Sequence, residues 1–548
     1  MCGIALLLGP SLSDADARRF NDMIEGIAQR GESVEEERSP GSLLVTSRLK
    51  IVDRDRAVQP WRFGEGRFSL CYNGEVFNHR ALAEQLGAEG IALRSTSDTE
   101  VVAEAIAALG EAALLAFRGE FAFAIVDHET QSVFVARDPA GIKPLYWTQT
   151  PDRLYLASEV KALSGLGLRV HELPPGHCGT GSATTPIATH PYIDLLRLGE
   201  GEPMLEDVEE AAAAVRTTVT TAIARRVDTD LPVGIILSGG LDSSLVATQV
   251  ASLHPECVAF TVGTAGSEDL EYATRLAKDL GIRHEIVEIA PRQIRAAQVK
   301  EAVRVSEATE YGDAINAVVS MEVFRAVHEA GIKVVLTGDG SDELFGGYDM
   351  YKSVSNATAR QLFLHKIAQL SRTELQRVDR TSMGHCVEAR VPFLDLDLLE
   401  LAMRIPVELK VRDGYEKWIL RHAFAADLPD YILARHKNPM SHSSGLHERV
   451  RLYKPMMPRW YRSFGYEVAG PMRRDFSLEL RLADNDLDAA LAAAKLERDV
   501  TPLERARDFA GALRWNVANA LTPGRSSRTG RAPASASPVA AHDDADES

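Results

Sequence analysis

Cysteine is scarce in this chain. Five of 548 residues carry a thiol (Cys2, Cys71, Cys178, Cys257 and Cys386), and none forms a C-x-x-C pair. An odd number of scattered cysteines suggests neither a disulfide framework nor a zinc site, and it fits a reducing cytoplasm. Basic charge is also short: 61 Lys and Arg face 78 Asp and Glu, a net charge of −17. Nucleic-acid binders need a clustered basic face, so that class is argued against. No run approaches the roughly 18 apolar residues of a membrane helix. The start, MCGIALLLGPSLSDADARRF, lacks a signal peptide's basic stretch, and its apolar run ends at Gly9-Pro10. What remains is an ordinary soluble composition, 45% apolar and 25% charged. At roughly 150 residues per domain, the length predicts two to four domains.

Two textures follow one another. Residues 1–190 carry short β-type runs separated by turn residues: Gly3–Leu8, Ser42–Thr46, Phe68–Tyr72, Ala122–Val126, Ser132–Ala136 and Arg153–Ala157. Helical stretches interrupt at Asp14–Gln29 and Asp98–Leu109, the second behind a Ser97/Asp98 cap candidate. An antiparallel sandwich with flanking helices is expected. Residues 191–207 read as a linker. An Ala-rich helical segment, Val208–Val227, then opens a strand–helix alternation with strands at Val233–Leu237, Cys257–Val262, His284–Ile289 and Lys333–Leu336. That alternation predicts a doubly wound parallel sheet in a second domain over 208–520. Residues 521–548, rich in Pro, Ser, Gly, Ala and Asp, predict a disordered tail.

Chemistry begins at the second residue. Cysteine is small enough that Met1 is normally removed, which places a free α-amine beside the Cys2 thiol as its own base. A buried structural cysteine is the plain alternative. Asn73 and Gly74 offer an amide and a backbone N–H to an oxyanion, or else simply form a tight turn between strands. Arg48 suits a substrate carboxylate or a strand edge. Asp98 suits a substrate ammonium or a helix cap.

Eight strings change those odds: MCGI, RLKIVD with Gln59-Pro60, YNGEVFNH, SDTE, RGEFAFAIVD, ARDPAGIKPLY, ASEVKAL and LPPGH. In this order over about 175 residues, they resemble the class II glutamine amidotransferase domain of asparagine synthetases. The resemblance implies an N-terminal-nucleophile α/β/β/α sandwich. Cys2 would attack the glutamine side-chain amide, Asn73 and Gly74 would stabilise the tetrahedral intermediate, and Arg48, Glu75 and Asp98 would hold glutamine. After Gln29-Arg30-Gly31 the chain reads Glu-Ser-Val-Glu, a departure from the family's Arg-Gly-Pro-Asp that bears on the glutamine-covering loop.

The second half carries Leu237-Ser238-Gly239-Gly240-Leu241-Asp242-Ser243-Ser244 between a buried strand and a helix start. Glycines allow close approach and the helix N-terminus favours anions, which makes a phosphate cradle. The spacing is not that of the kinase-type P-loop. Asp242 beside phosphates needs a bridging cation, so it reads as a Mg²⁺ ligand. The string matches the S-G-G-x-D-S loop of enzymes that split ATP between the α and β phosphates, and Val262-Gly263 matches further on. Thr337-Gly338-Asp339-Gly340-Ser341-Asp342 follows another strand; by resemblance Gly340 and Ser341 join the ATP site and Asp342 is the second metal ligand. Lys417 matches a lysine that neutralises the α-phosphate and the departing pyrophosphate; its plain alternative is a solvated helix lysine. Asp339 stands where the family often has Glu, and as a base it reaches roughly 1 Å less. Ser306–Asp313 is expected to help form the acceptor pocket.

The implied reaction takes ammonia from glutamine through an interdomain channel to an acceptor carboxylate, by default L-aspartate, adenylated by MgATP. A homodimer is implied by the family alone. Amidation of another carboxylate is the near alternative, and ring closure is disfavoured because it needs no ammonia. A catalytically silent glutamine or nucleotide sensor and a peptidase are alternatives of other classes. Intact Cys2, Asp242, Asp342 and Lys417 count against the sensor, and the adenylation half counts against the peptidase.

Overall fold

The computed structural model describes residues 1–308, 311–437 and 446–465, with the single positions 510 and 513. The tail expected at 521–548 and the acceptor-segment positions Thr309 and Glu310 lie outside the described residues.

The first 191 residues hold strands β1 (Cys2–Leu8), β2 (Ser33–Ser39), β3 (Ser42–Arg48), β4 (Trp61–Phe63), β5 (Phe68–Val76) and β6 (Gly119–Asp127). They continue with β7 (Ser132–Arg137), β8 (Tyr146–Thr150), β9 (Arg153–Ala157), β10 (His171–Glu172), β11 (His177–Ser182) and β12 (Ala188–Pro191). Two six-stranded sheets result, ordered β10-β8-β9-β1-β3-β2 and β12-β11-β7-β6-β5-β4. All their pairings are antiparallel.

Side-chain alternation explains the layering. Ile4, Leu6 and Leu8 of β1 pack on Cys71, Ala124 and Val126 between the sheets. Ala5 and Leu7 point the other way, onto Phe20, Met23 and Ile27 of the helix Asp14–Ile27. That helix starts from a capping box in which Ser13 and Asp16 satisfy each other's backbone N–H. Beyond the second sheet, Leu70, Tyr72, Phe121 and Phe123 meet Val101, Val102 and Ala105 of the helix Asp98–Leu109. The order of layers is α/β/β/α, so β1 is buried along its whole length. Each aliphatic side chain buried this way contributes roughly 1.5–3 kcal/mol relative to exposure.

The second sheet system is parallel: β13 (Val233–Ile236), β14 (Val258–Gly263), β15 (Arg283–Glu288), β16 (Val334–Leu336) and β17 (Glu388–Arg390), ordered β15-β14-β13-β16-β17. The chain leaves β13 for β14 on one side and returns to β16 on the other. The carboxyl ends of β13 and β16 therefore flank the topological switch point, where open α/β sheets bind ligands. No helix among the described residues is long and apolar enough to cross a membrane.

Candidate active sites

Cys2 opens β1 opposite Arg48 of β3. Its backbone N–H donates to Asn73 Oδ1 at 3.0 Å, and its carbonyl accepts from Arg30 Nε at 3.0 Å. Burial pushes the Cys2 thiol up, opposed by the N-terminal charge, the Leu49 backbone N–H and Arg48. Asn73 is fully buried, and its Nδ2 has no hydrogen-bond partner among the described residues. An unmet buried donor costs about 1–3 kcal/mol, which a ligand oxygen would recover. Asn73 and Gly74 lie inside β5, paired with Ala122 and Phe121 of β6, so the alternative of a tight Asn-Gly turn is overturned. A Cβ on Gly74 would press on the Glu120 carbonyl and come 2.7 Å from Phe121 Cα. Strand packing alone thus requires glycine there.

Glu75 and Asp98 are both buried. Burial and the neighbouring Asp98 raise the Glu75 carboxyl well above its ordinary range, with Arg390 opposing. Asp98 is also raised, by burial, although its Oδ2 accepts from Tyr72 Oη at 2.9 Å and the Val76 N–H at 3.2 Å. The helix cap is Ser97, not Asp98. Two buried carboxyls that resist ionising together suit a ligand ammonium. Arg48 is 4% exposed, its Nη2 bound to the Arg54 carbonyl at 3.0 Å and its Nη1 3.5 Å from Glu35. Its position is interior, which overturns the strand-edge alternative.

With Met1 in place, the Cys2 nitrogen is an amide and no base. The Met1 amine sits 2.5 Å from Glu388 Oε2, and its side chain packs with Leu49, Ile51, Val334 and Met383. Met1 therefore fills an apolar gap between the start of β1 and β16, the strand that leads to Asp339.

The other site lies at the switch point. Leu237 is buried, its N–H bound to the Phe260 carbonyl, which fixes where the Ser238–Gly240 loop departs. Gly239 has φ +70°, and a Cβ there would come 2.7 Å from the Ala273 nitrogen. Ser243 Oγ accepts from the Ser238 N–H at 3.1 Å and donates to the Gly240 carbonyl at 3.2 Å, closing the loop at the start of the helix Leu241–Leu253. Val262 and Gly263 end the adjacent β14. Gly340, at φ +91°, begins the helix Ser341–Phe345, and Ser341 Oγ donates to Asp242 Oδ1 at 2.7 Å.

Lys417 is 1% exposed, so the solvated-lysine alternative fails. Its Nζ bonds Asp242 Oδ2 and lies 2.5 Å from Asp342 Oδ1. Lys437 Nζ donates to Asp342 Oδ2 at 2.6 Å. Burial would raise Asp342, but Lys417 and Lys437 outweigh it and hold the carboxyl well below the usual range. Two carboxylates from the first turns of separate helices thus already converge on one positive charge beside the Ser238–Gly240 loop. An all-oxygen donor pair of this kind fits Mg²⁺. Asp339 accepts from Arg377 Nη2 at 2.9 Å, and Arg377 also bonds Glu374 and Ser320.

Sequence reasoning missed several lining residues. Arg435 bonds Asp269 and the Ser238 carbonyl, and its Nε has no partner among the described residues. Arg435, Lys437 and Glu416 line the same cavity as Ser238, Asp242 and Lys417. The run Arg435-His436-Lys437 directly after a short helix was the available signal. Glu307, in the segment expected to help form the acceptor pocket, joins the two halves of the chain. Its carboxylate accepts from the Lys161 N–H at 2.7 Å and from Arg380 Nε at 3.2 Å.

The model of the glutamine amidotransferase domain family matches residues 1–182, and that of the asparagine synthase family matches 214–362 and 352–462. Asparagine synthetase [glutamine-hydrolyzing] 3 of Arabidopsis thaliana is 32% identical over 472 residues, covering 81% of this chain and 79% of its own. Asparagine synthetase B of Escherichia coli K12 is 32% identical over 426 residues, covering 74% and 76%. A putative asparagine synthetase 1 of Methanocaldococcus jannaschii is 32% identical over 485 residues, covering 79% and 87%.

Proposed function

From the premise that the chain belongs to the glutamine-hydrolysing asparagine synthetase family, we propose that it makes an amide from glutamine nitrogen and an acceptor carboxylate, by default that of L-aspartate, at the cost of ATP. One observation carries this reading: a single chain holds both a buried cysteine facing an orphaned amide donor and two aspartates meeting at a buried lysine beside a phosphate loop.

After Met1 is removed, the Cys2 amine takes the thiol proton and the sulfur attacks the glutamine Cδ. Asn73 Nδ2 and the Gly74 N–H receive the oxyanion, while Arg48 faces the α-carboxylate and Glu75 and Asp98 the α-ammonium. Collapse of the intermediate releases ammonia, and water frees glutamate from the thioester. At the second site the acceptor carboxylate attacks the α-phosphorus of ATP and pyrophosphate leaves, giving an acyl-adenylate. Lys417 sits where negative charge grows on the α-phosphate and the leaving group. Leu237–Ser243, Val262-Gly263 and Gly340-Ser341 form the nucleotide's bed. Asp242 and Asp342 would hold Mg²⁺, which neutralises phosphate charge when bound. Ammonia then attacks the acyl carbon, Asp339 accepts a proton once it parts from Arg377, and AMP departs. The apolar gap left by Met1 supports a dry path that keeps ammonia unprotonated. Five free thiols, four of them buried, support a cytoplasmic setting. A homodimer, carried over from the family, is tested by light scattering.

Mass spectrometry of products from glutamine, MgATP and L-aspartate tests the reading. Asparagine with AMP supports aspartate as acceptor. Glutamate without AMP or asparagine means another carboxylate is amidated.

A further inference from the structure

The antiparallel pairing of β11 with β12 sets Cys178 directly opposite His190. Cys178 Sγ lies 3.4 Å from His190 Nε2, and the same nitrogen lies 2.9 Å from Glu111 Oε2. Glu111 comes from the turn Gly110–Ala112 that follows the helix Asp98–Leu109. All three donor atoms lie within 4.8 Å of one another. We propose that Glu111, Cys178 and His190 form a binding site for a borderline divalent cation of the zinc class, with the fourth position open to water.

A hydrogen-bonded cluster accounts for this geometry poorly. One imidazole nitrogen carries either a proton or a lone pair, so Nε2 cannot serve both the thiol and the carboxylate at full strength. A cation at the shared focus satisfies all three. Tetrahedral zinc, with N and O ligands at 2.0–2.2 Å and sulfur at about 2.3 Å, needs ligand pairs about 3.3–3.6 Å apart. The sulfur–nitrogen separation already meets that, and the nitrogen–oxygen pair need open by only about 0.4 Å. His190 and Glu111 are half-exposed, at 53% and 47%, and free to make that move. Charge balances as well, since a thiolate and a carboxylate offset the dication. In its absence, burial and Glu111 push the Cys178 thiol up to about 12 and keep it neutral. The spacing of 111, 178 and 190 matches no zinc motif, because strand register and not sequence proximity gathers the ligands. The ion would staple the edge strand β12 to the turn after the helix. It would stand apart from Cys2, whose strand β1 lies in the other sheet, and three strands away from Asn73 and Gly74 of β5 in the shared one.

Titration of the full chain with Co²⁺ tests the site. The expected result is one equivalent bound with a thiolate-to-cobalt charge-transfer band and the strong visible bands of a tetrahedral ion, displaced by Zn²⁺. C178S should abolish the charge-transfer band, and H190A should weaken binding at least tenfold. Glutamine hydrolysis should be unchanged in both, which also checks their folding. If C178S does not fold, H190A and E111Q decide the matter. Absence of the band at excess cobalt, or a band surviving both C178S and H190A at full intensity, would overturn the proposal.

Discussion

Asn73→Ala isolates the feature on which the glutaminase reading depends most. The side chain does two things: Oδ1 accepts the Cys2 N–H at 3.0 Å, and Nδ2 stands buried without a partner. A preorganised donor aimed at a developing oxyanion is worth about 2.7–4 kcal/mol, or 10²–10³ in kcat. Glutamine affinity should move little, because Arg48, Glu75 and Asp98 hold the other end of the substrate. The assay is glutamate release under saturating glutamine, run beside AMP formation with ammonium as nitrogen source. Asn73→Asp keeps an acceptor for the Cys2 nitrogen but deletes the donor, so it should lose at least as much. A glutamine kcat within tenfold of the parent, or an equal fall in the ammonia-driven reaction, would refute the role.

Cys2→Ala should abolish glutamine use and leave ammonia-dependent amide formation intact; loss of both would refute a role confined to the glutaminase, and turnover in neither parent nor variant would favour a sensor. Intact-mass measurement should find the active protein without Met1, since an amide nitrogen at Cys2 is not a base. Lys417→Met leaves Asp242 and Asp342 without the cation between them and should lower stability by about 3–5 kcal/mol in denaturant melts. Mg²⁺ should restore part of that loss, while pyrophosphate release from ATP stays absent; an unchanged melt would contradict the geometry. Burial would raise Glu416, but Lys352 and the Lys437 N–H bring it down to about 2 from an ordinary 4.5. A depressed carboxyl stabilises above its unfolded pKa and loses that contribution as pH falls through the folded one. The advantage of the parent over Glu416→Gln, roughly 3 kcal/mol at neutral pH, should therefore shrink between pH 4.5 and 2. A pH-independent difference would remove Glu416 from the account.

Strands buried on both faces were legible from their apolar cores: Gly3–Leu8, Ala122–Val126 and Val233–Leu237 mark β1, β6 and β13, whose full extents are Cys2–Leu8, Gly119–Asp127 and Val233–Ile236. Strand β2 was missed because it is a charged edge, SVEEERS, whose alternation separates exposed from half-exposed positions. Strands β11 and β12, HCGTGS and ATHP, carry little β-type sequence; β11 is held by β7, and β12 in turn by β11. The site residues carried by local strings, from Cys2 to Lys417, could be named from the sequence. Their partners could not. Arg435 and Lys437 acquire meaning only when the fold carries them to Asp269 and Asp342, 166 and 95 positions away. The partners of Glu307 were hidden for the same reason: nothing local says that its carboxylate meets Arg380 and the Lys161 N–H.

The helix Glu374–Met383 explains how two sites on separate sheets can hold a fixed geometry. Its Arg377 bonds Asp339 at the synthetase site. Two residues on, Asp379 takes both Nη atoms of Arg30, at 2.8 and 3.0 Å, while Arg30 Nε donates to the carbonyl of Cys2 itself. The next residue, Arg380, bonds Glu307 and Tyr146. Every residue of this helix but Glu374 is buried, so Arg377, Asp379 and Arg380 have little water to fall back on. Buried pairs of this kind contribute little net stability compared with apolar replacements, yet removing one partner strands the other at a cost of about 3–5 kcal/mol. Their effect is therefore on position. A shift of this one helix displaces the base candidate at one site and the nucleophile's backbone at the other together. The two candidate sites are thus linked through one helix, which suits the proposed delivery of ammonia from Cys2 to an acyl-adenylate.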